Sequence, residues 1–132
     1  PISHRDAVWL LESGRGRCLR YSPVTGEADT ICEIPGVARG LDFAGSFAFI
    51  GMSKIRATSG PVADVLRARF PEHPHCRVYA IDTADGETSG YAELPRISEI
   101  SSIVAIQKPT VALLSPDNAQ TAATFVYRTA NG

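Results

Sequence analysis

Leu19-Arg20-Tyr21 leads through Val24-Thr25-Gly26-Glu27 to Glu33-Ile34-Pro35, and Tyr79-Ala80-Ile81 leads through Ala84-Asp85-Gly86-Glu87 to Glu93-Leu94-Pro95. The two stretches align without a gap, 60 positions apart. In each, an apolar, variable, apolar triplet carries the two-residue period of a half-buried strand. A polar turn ending in Gly follows. Gly supplies the positive φ that a tight hairpin needs, and Asp85 before it tolerates the left-handed region. A third copy starts at Phe125-Val126-Tyr127 and reaches Asn131-Gly132, now 46 positions beyond its counterpart. Self-similarity of this kind marks a repeated architecture.

A second element also recurs. Val8-Trp9-Leu10-Leu11, Phe47-Ala48-Phe49-Ile50 and Val111-Ala112-Leu113-Leu114 are nearly continuous apolar runs ahead of the alternating strands. Continuous apolar character implies burial on both faces. Each unit then reads as a buried strand, an alternating strand, a Gly turn, a return strand (28–34, 88–94) and a further strand (38–43, 100–106). The predicted fold is all-β, with about two and a half four-stranded antiparallel blades of β-propeller type. The units span 1–36, 37–95 and 96–132 of a single partial domain. An insertion at 52–75 contains one short helix, with Pro61 at its first position and Val62, Val65, Leu66 and Phe70 at helical spacing. Stopping on the third turn, the chain reads as a fragment of a longer one. Its expected partners are the remaining blades of the same chain, or copies of itself associating through open sheet edges.

Composition narrows the function classes. Thirteen basic residues against fourteen acidic ones give a formal charge of −1, so the chain lacks the basic face that nucleic acid demands. It also lacks a polybasic membrane anchor and any apolar run of membrane-spanning length. Cys18, Cys32 and Cys76 are unevenly spaced and odd in number, which implies no disulfide framework and fits a reducing, cytoplasmic setting.

Four stretches in order carry a family resemblance: Trp9-Leu10-Leu11-Glu12-Ser13-Gly14-Arg15-Gly16, Pro35-Gly36-Val37-Ala38-Arg39-Gly40-Leu41, Phe49-Ile50-Gly51-Met52-Ser53-Lys54-Ile55-Arg56, and Val78-Tyr79-Ala80-Ile81-Asp82-Thr83 through Gly86-Glu87. Across residues 5–107 the chain resembles an uncharacterised bacterial family of conserved hypothetical, propeller-like proteins, a domain of unknown function. The resemblance implies the fold and no activity. Ile2-Ser3-His4-Arg5 only loosely resembles the family's His-containing approach to the first buried strand. Arg96-Ile97-Ser98-Glu99-Ile100 keeps one acidic residue where the family shows a more acidic pattern.

Five residues are candidates for ligand contact. Arg39, beside Gly40 at the start of an inner strand, suits bidentate capture of a carboxylate or phosphate, or else an ion pair between blades with Glu99. Ser53, Lys54 and Arg56 leave the second buried strand together, as an anion site beneath a helical lid or as a solvated loop start. His73-x-His75-Cys76 has metal-like residue types on an extended segment, but no second ligand pair stands at zinc spacing. Ser13-Gly14-Arg15-Gly16 lacks the ending of a phosphate-binding loop and reads as a strand connection. Trp9, Cys18 and Cys32 read as core. The expected function is therefore a non-catalytic, cofactor-free module that binds a small anionic ligand or a protein partner. The alternatives are a propeller-type hydrolase or lyase using Arg39, Lys54 and Glu99 around a channel, or a purely structural segment.

Overall fold

The computed structural model describes residues 1–55, 60–71 and 75–106. Strands β1 (Ile2–His4), β2 (Ala7–Glu12), β3 (Arg17–Tyr21) and β4 (Ala28–Glu33) form one four-stranded antiparallel sheet in chain order. Strands β5 (Val37–Ala44), β6 (Phe47–Ser53), β7 (Cys76–Asp82) and β8 (Thr88–Leu94) form a second with the same order. The expected mostly-β character with one short helix is what the described residues show. Helix α1 (Pro61–Arg69) lies between β6 and β7. Among the described residues, no helix is long and apolar enough to cross a membrane.

The turns behind the sequence alignment have the same hydrogen bonds in both sheets. Gly26 N–H donates to the Ser22 carbonyl at 2.8 Å, and Gly86 N–H donates to the Asp82 carbonyl at 2.9 Å. Ser22 and Asp82 in turn donate their N–H groups to the carbonyls of Glu27 and Glu87, each at 2.9 Å. Gly86 is needed twice over: its φ is +78°, and a Cβ there would run into the Ile31 carbonyl of the first sheet.

Period-two alternation builds the core between the sheets. Trp9, Cys18 and Cys32 from the first sheet meet Leu41, Phe43, Ala48, Ile50, Met52, Tyr79 and Ile81 from the second. Trp9 packs edge-on to Phe43 at 5.1 Å, and His4 stacks on the same ring at 4.1 Å. On the far face of the second sheet, Cys76, Leu94 and Val78 pack against Ile97, Ile100 and Ile103 from the segment that follows β8. The second sheet is thus covered on both faces.

Three sequence expectations need correction. The strand expected over 38–43 does not close the first unit. It is β5, the first strand of the second sheet, because the short turn at Gly45-Ser46 folds it back on β6 in register from Ala44↔Phe47 to Val37↔Ser53. The strand expected over 100–106 is irregular instead, with its backbone bonded to side chains of the second sheet: Ile100 to Ser53 and Ala105 to Asp42. In α1, Val62 and Val65 are 74% and 62% exposed, and only Phe70, just past its end, is buried. The helix is too short to lay its whole apolar stripe on the sheets. It reaches the first sheet's connection through Arg69, whose guanidinium donates to the Gly14 carbonyl at 3.5 Å. The third copy at Phe125–Gly132 lies outside the described residues.

Candidate functional site

A β-bulge aims Arg39. The β5–β6 register shifts between Arg39 and Leu41, with Gly40 between them at φ +70°. The shift keeps Leu41 turned toward the core with Ile50, while Arg39 stands opposite Gly51 on the far face. There its guanidinium meets the carboxylate of Glu99 at 3.1 Å. Both groups remain partly open to solvent, so the pair itself contributes only about 0–1 kcal/mol.

Ser53, at the end of β6, is buried and shares the face of Arg39. Its hydroxyl accepts a hydrogen bond from Ile100 N–H at 2.8 Å and donates one to the Ile100 carbonyl at 3.0 Å. That pins the segment carrying Glu99 beside Arg39. The chain then leaves the sheet at Lys54, which makes no ion pair among the described residues.

These groups surround a single cavity of about 310 Å³, lined by Val37, Arg39, Ser53, Lys54, Glu99 and the first turn of α1 from Gly60 to Ala63, with Ile55 and Leu66. The helix begins on Gly60 without a side-chain cap and with Pro61 in its first turn. That first turn lines the cavity, and the helix dipole places partial positive charge at this end. Four of the five sequence candidates, Arg39, Ser53, Lys54 and Glu99, thus line one site. Arg56 lies outside the described residues. Sequence reasoning missed Val37 and the helix N-terminus. Pro61 signalled where the helix starts, but no local signal tells which way that end points.

The metal-like cluster is only partly described, since His73 lies outside the described residues. Cys76 is fully buried against Leu94 and Ile100, in an apolar setting. His75 Nδ1 is buried without a hydrogen-bond partner among the described residues. Among the described residues, no group of three His, Cys, Asp or Glu side chains could hold a metal ion. Ser13–Arg15 is a short 3-10 turn joining β2 to β3, a strand connection as its composition suggests.

Cys18 and Cys32 face each other across β3 and β4 as free thiols. Hydrogen bonding to Cys32, with burial, pushes the Cys18 thiol well up. The same contact lowers Cys32, as its thiolate would accept from Cys18. At the edge of the second sheet, Arg77 bonds Glu93 at 2.6 Å and lies over the Tyr91 ring at 4.7 Å.

The model of a family described as a domain of unknown function (DUF4915) matches residues 1–113. The chain belongs to that family. No curated protein matches it.

Proposed function

We propose that this DUF4915 member is a propeller-like tandem-sheet module that binds a small anionic ligand, a carboxylate or a phosphate, in the cavity between the second sheet and α1. The observation that carries this reading is the convergence on that cavity of Arg39, Lys54 and the first turn of α1. Two cations against one carboxylate leave the site with excess positive charge. Arg39 offers a planar fork for bidentate bonds, and Lys54 offers an ammonium with no competing partner among the described residues. Glu99 then acts as the internal anion that a ligand displaces, which favours ligands able to make two hydrogen bonds over monodentate ones.

Binding is preferred to catalysis for a specific reason. Among the described residues lining the site, the one side-chain hydroxyl, that of Ser53, is committed on both sides to the backbone of Ile100, which removes it as a nucleophile. The free thiols of the core support a reducing, cytoplasmic setting. The shared strand order and turn bonding of the two sheets support tandem units at 1–36 and 37–95.

The test is calorimetric titration with a panel of small carboxylates and phosphates. Binding should weaken at least about tenfold in Arg39→Ala and in Lys54→Ala, as expected for loss of one charge-assisted hydrogen bond. Absence of binding across the panel would favour the purely structural alternative.

A further inference from the structure

Cys18 and Cys32 stand directly opposite each other in the β3–β4 ladder. Both side chains enter the core between the sheets, and both thiols are free. Residues opposed in this way on antiparallel strands lie about 4.5–5.5 Å apart at Cα. That is inside the roughly 4.4–6.8 Å that a disulfide spans. The two thiols already hydrogen-bond each other, so joining them needs no large backbone movement.

The third cysteine supplies a contrast. Cys76 is as deeply buried, but it faces Leu94 across β7 and β8 and packs in the other core cluster. Filling space as a small apolar side chain accounts for Cys76. It does not by itself call for two thiols at opposed positions. The two members of the pair are also unequal. Cys32 is 9% exposed against 1% for Cys18, and the hydrogen bond from Cys18 favours its thiolate, the form that reacts with oxidants. Beside them the ladder is interrupted: the register shifts between Cys18 and Leu19, which leaves Ile31 of β4 without a partner in β3. A ladder broken at this point opens locally at lower cost than a continuous one, and a small oxidant needs no more than that.

We propose that Cys18 and Cys32 form a peroxide-sensitive dithiol, which hydrogen peroxide closes into a disulfide across β3 and β4 and which small-molecule thiols reopen. The Cys32 thiolate attacks one peroxide oxygen and the O–O bond breaks. The other oxygen leaves as hydroxide and takes a proton to become water, while Cys32 carries a sulfenic acid. The Cys18 sulfur then attacks the Cys32 sulfur, the S–O bond breaks, and the Cys18 proton leaves with the hydroxide as a second water. Two thiols and one peroxide give one disulfide and two waters, the sulfurs together losing two electrons. The pair lies in the core between the sheets, apart from the anion cavity, so neither reading depends on the other.

The folded full chain, treated with hydrogen peroxide, should lose the mass of two hydrogens. Peptide mapping without reductant should show Cys18 joined to Cys32, with Cys76 still open to alkylation once the chain is unfolded. Closing a loop of about 15 residues should raise Tm by about 10 °C, and dithiothreitol should reverse the rise. In Cys18→Ser the reaction should stop at a Cys32 sulfenic acid that dimedone traps, whereas Cys32→Ser should leave Cys18 unreacted. If either variant does not fold, the mapping of the wild-type chain decides alone. A pair that stays unlinked under peroxide that oxidises a free small-molecule thiol would overturn the proposal. So would a link through Cys76, a link between chains, or a link that forms only after unfolding in urea.

Discussion

The Ser53 hydroxyl sits between the two backbone polar groups of Ile100, accepting from its N–H at 2.8 Å and donating to its carbonyl at 3.0 Å. All these atoms are buried, and the two residues lie 47 positions apart. One side chain thereby satisfies a stretch of backbone that has no strand partner, and holds the segment after β8 on the second sheet. Ser53→Ala leaves both groups of Ile100 without that partner, so unfolding in denaturant should show a loss of about 1–3 kcal/mol. A loss near zero would mean that water replaces the hydroxyl and that the clip is not structural.

Gly40 is the second device that lets this segment approach. Its φ of +70° lies where side chains are strained, and a Cβ there would come within 2.9 Å of the Ile103 nitrogen and the Ser102 carbonyl carbon. Gly40→Ala should cost more than about 1 kcal/mol, from strain added to displacement of Ser102 and Ile103. Because Gly40 also forms the bulge that aims Arg39, the variant should lose anion affinity as well. Gly45→Ala is the comparison: it shares the positive φ of +60°, but nothing lies within 4 Å of its Cβ. Chemical denaturation and calorimetry of the pair separate backbone strain from the close approach.

What the sequence disclosed follows from how local each signal is. The alignment of Leu19–Pro35 on Tyr79–Pro95 found β3, β4, β7, β8 and both Gly turns, because strand alternation and turn chemistry are written in consecutive residues. It misassigned β5, since membership of a sheet depends on which neighbour a strand pairs with, and the Gly45-Ser46 turn decided that. It read residues 100–106 as a strand because their apolar pattern is that of one; only the approach of Ser53 and Asp42 shows where the backbone groups go. At the site, Arg39 and Glu99 were nameable as a pair because unpatterned charge in small-residue or apolar surroundings demands a partner. A helix over Ser53 and Lys54 was among the expectations; that it presents its first turn to the cavity is a matter of three-dimensional direction, which no spacing encodes.

Helix α1 gives a direct check on the corrected reading of its apolar residues. Val65 is largely exposed and Phe70 is 8% exposed. Val65→Gln should change stability by no more than about 0.5 kcal/mol, with a slight gain in helix propensity. Phe70→Ala should cost about 3–5 kcal/mol if its cavity stays open, and less if the helix end collapses into it. Equal losses at the two positions would restore the amphipathic packing that Val62 and Val65 suggested. Thermal melts of both variants decide between the two.

The facing thiols of Cys18 and Cys32 make stability depend on alkaline pH in a way whose sign can be worked out. Cys18 is raised above its ordinary value of 9.0, so the folded chain keeps this proton where the unfolded chain loses it. That contribution is fully present below 9.0 and is lost as pH climbs above it. Cys32 is lowered, so its contribution has the opposite sense: it is present above the ordinary value and lost as pH falls through the depressed one. The pair together should stabilise the fold most near pH 9.0 and progressively less above it, because the folded state still holds one proton that the unfolded state has released. The decline should reach up to about 1.4 kcal/mol per pH unit. Cys18→Ala removes the proton that the folded state retains. The stability difference between wild type and variant, followed by denaturant unfolding from about pH 8 to about pH 10.5, should therefore shrink at the alkaline end. A difference that stayed constant would mean that the two thiols do not share a proton across the β3–β4 ladder.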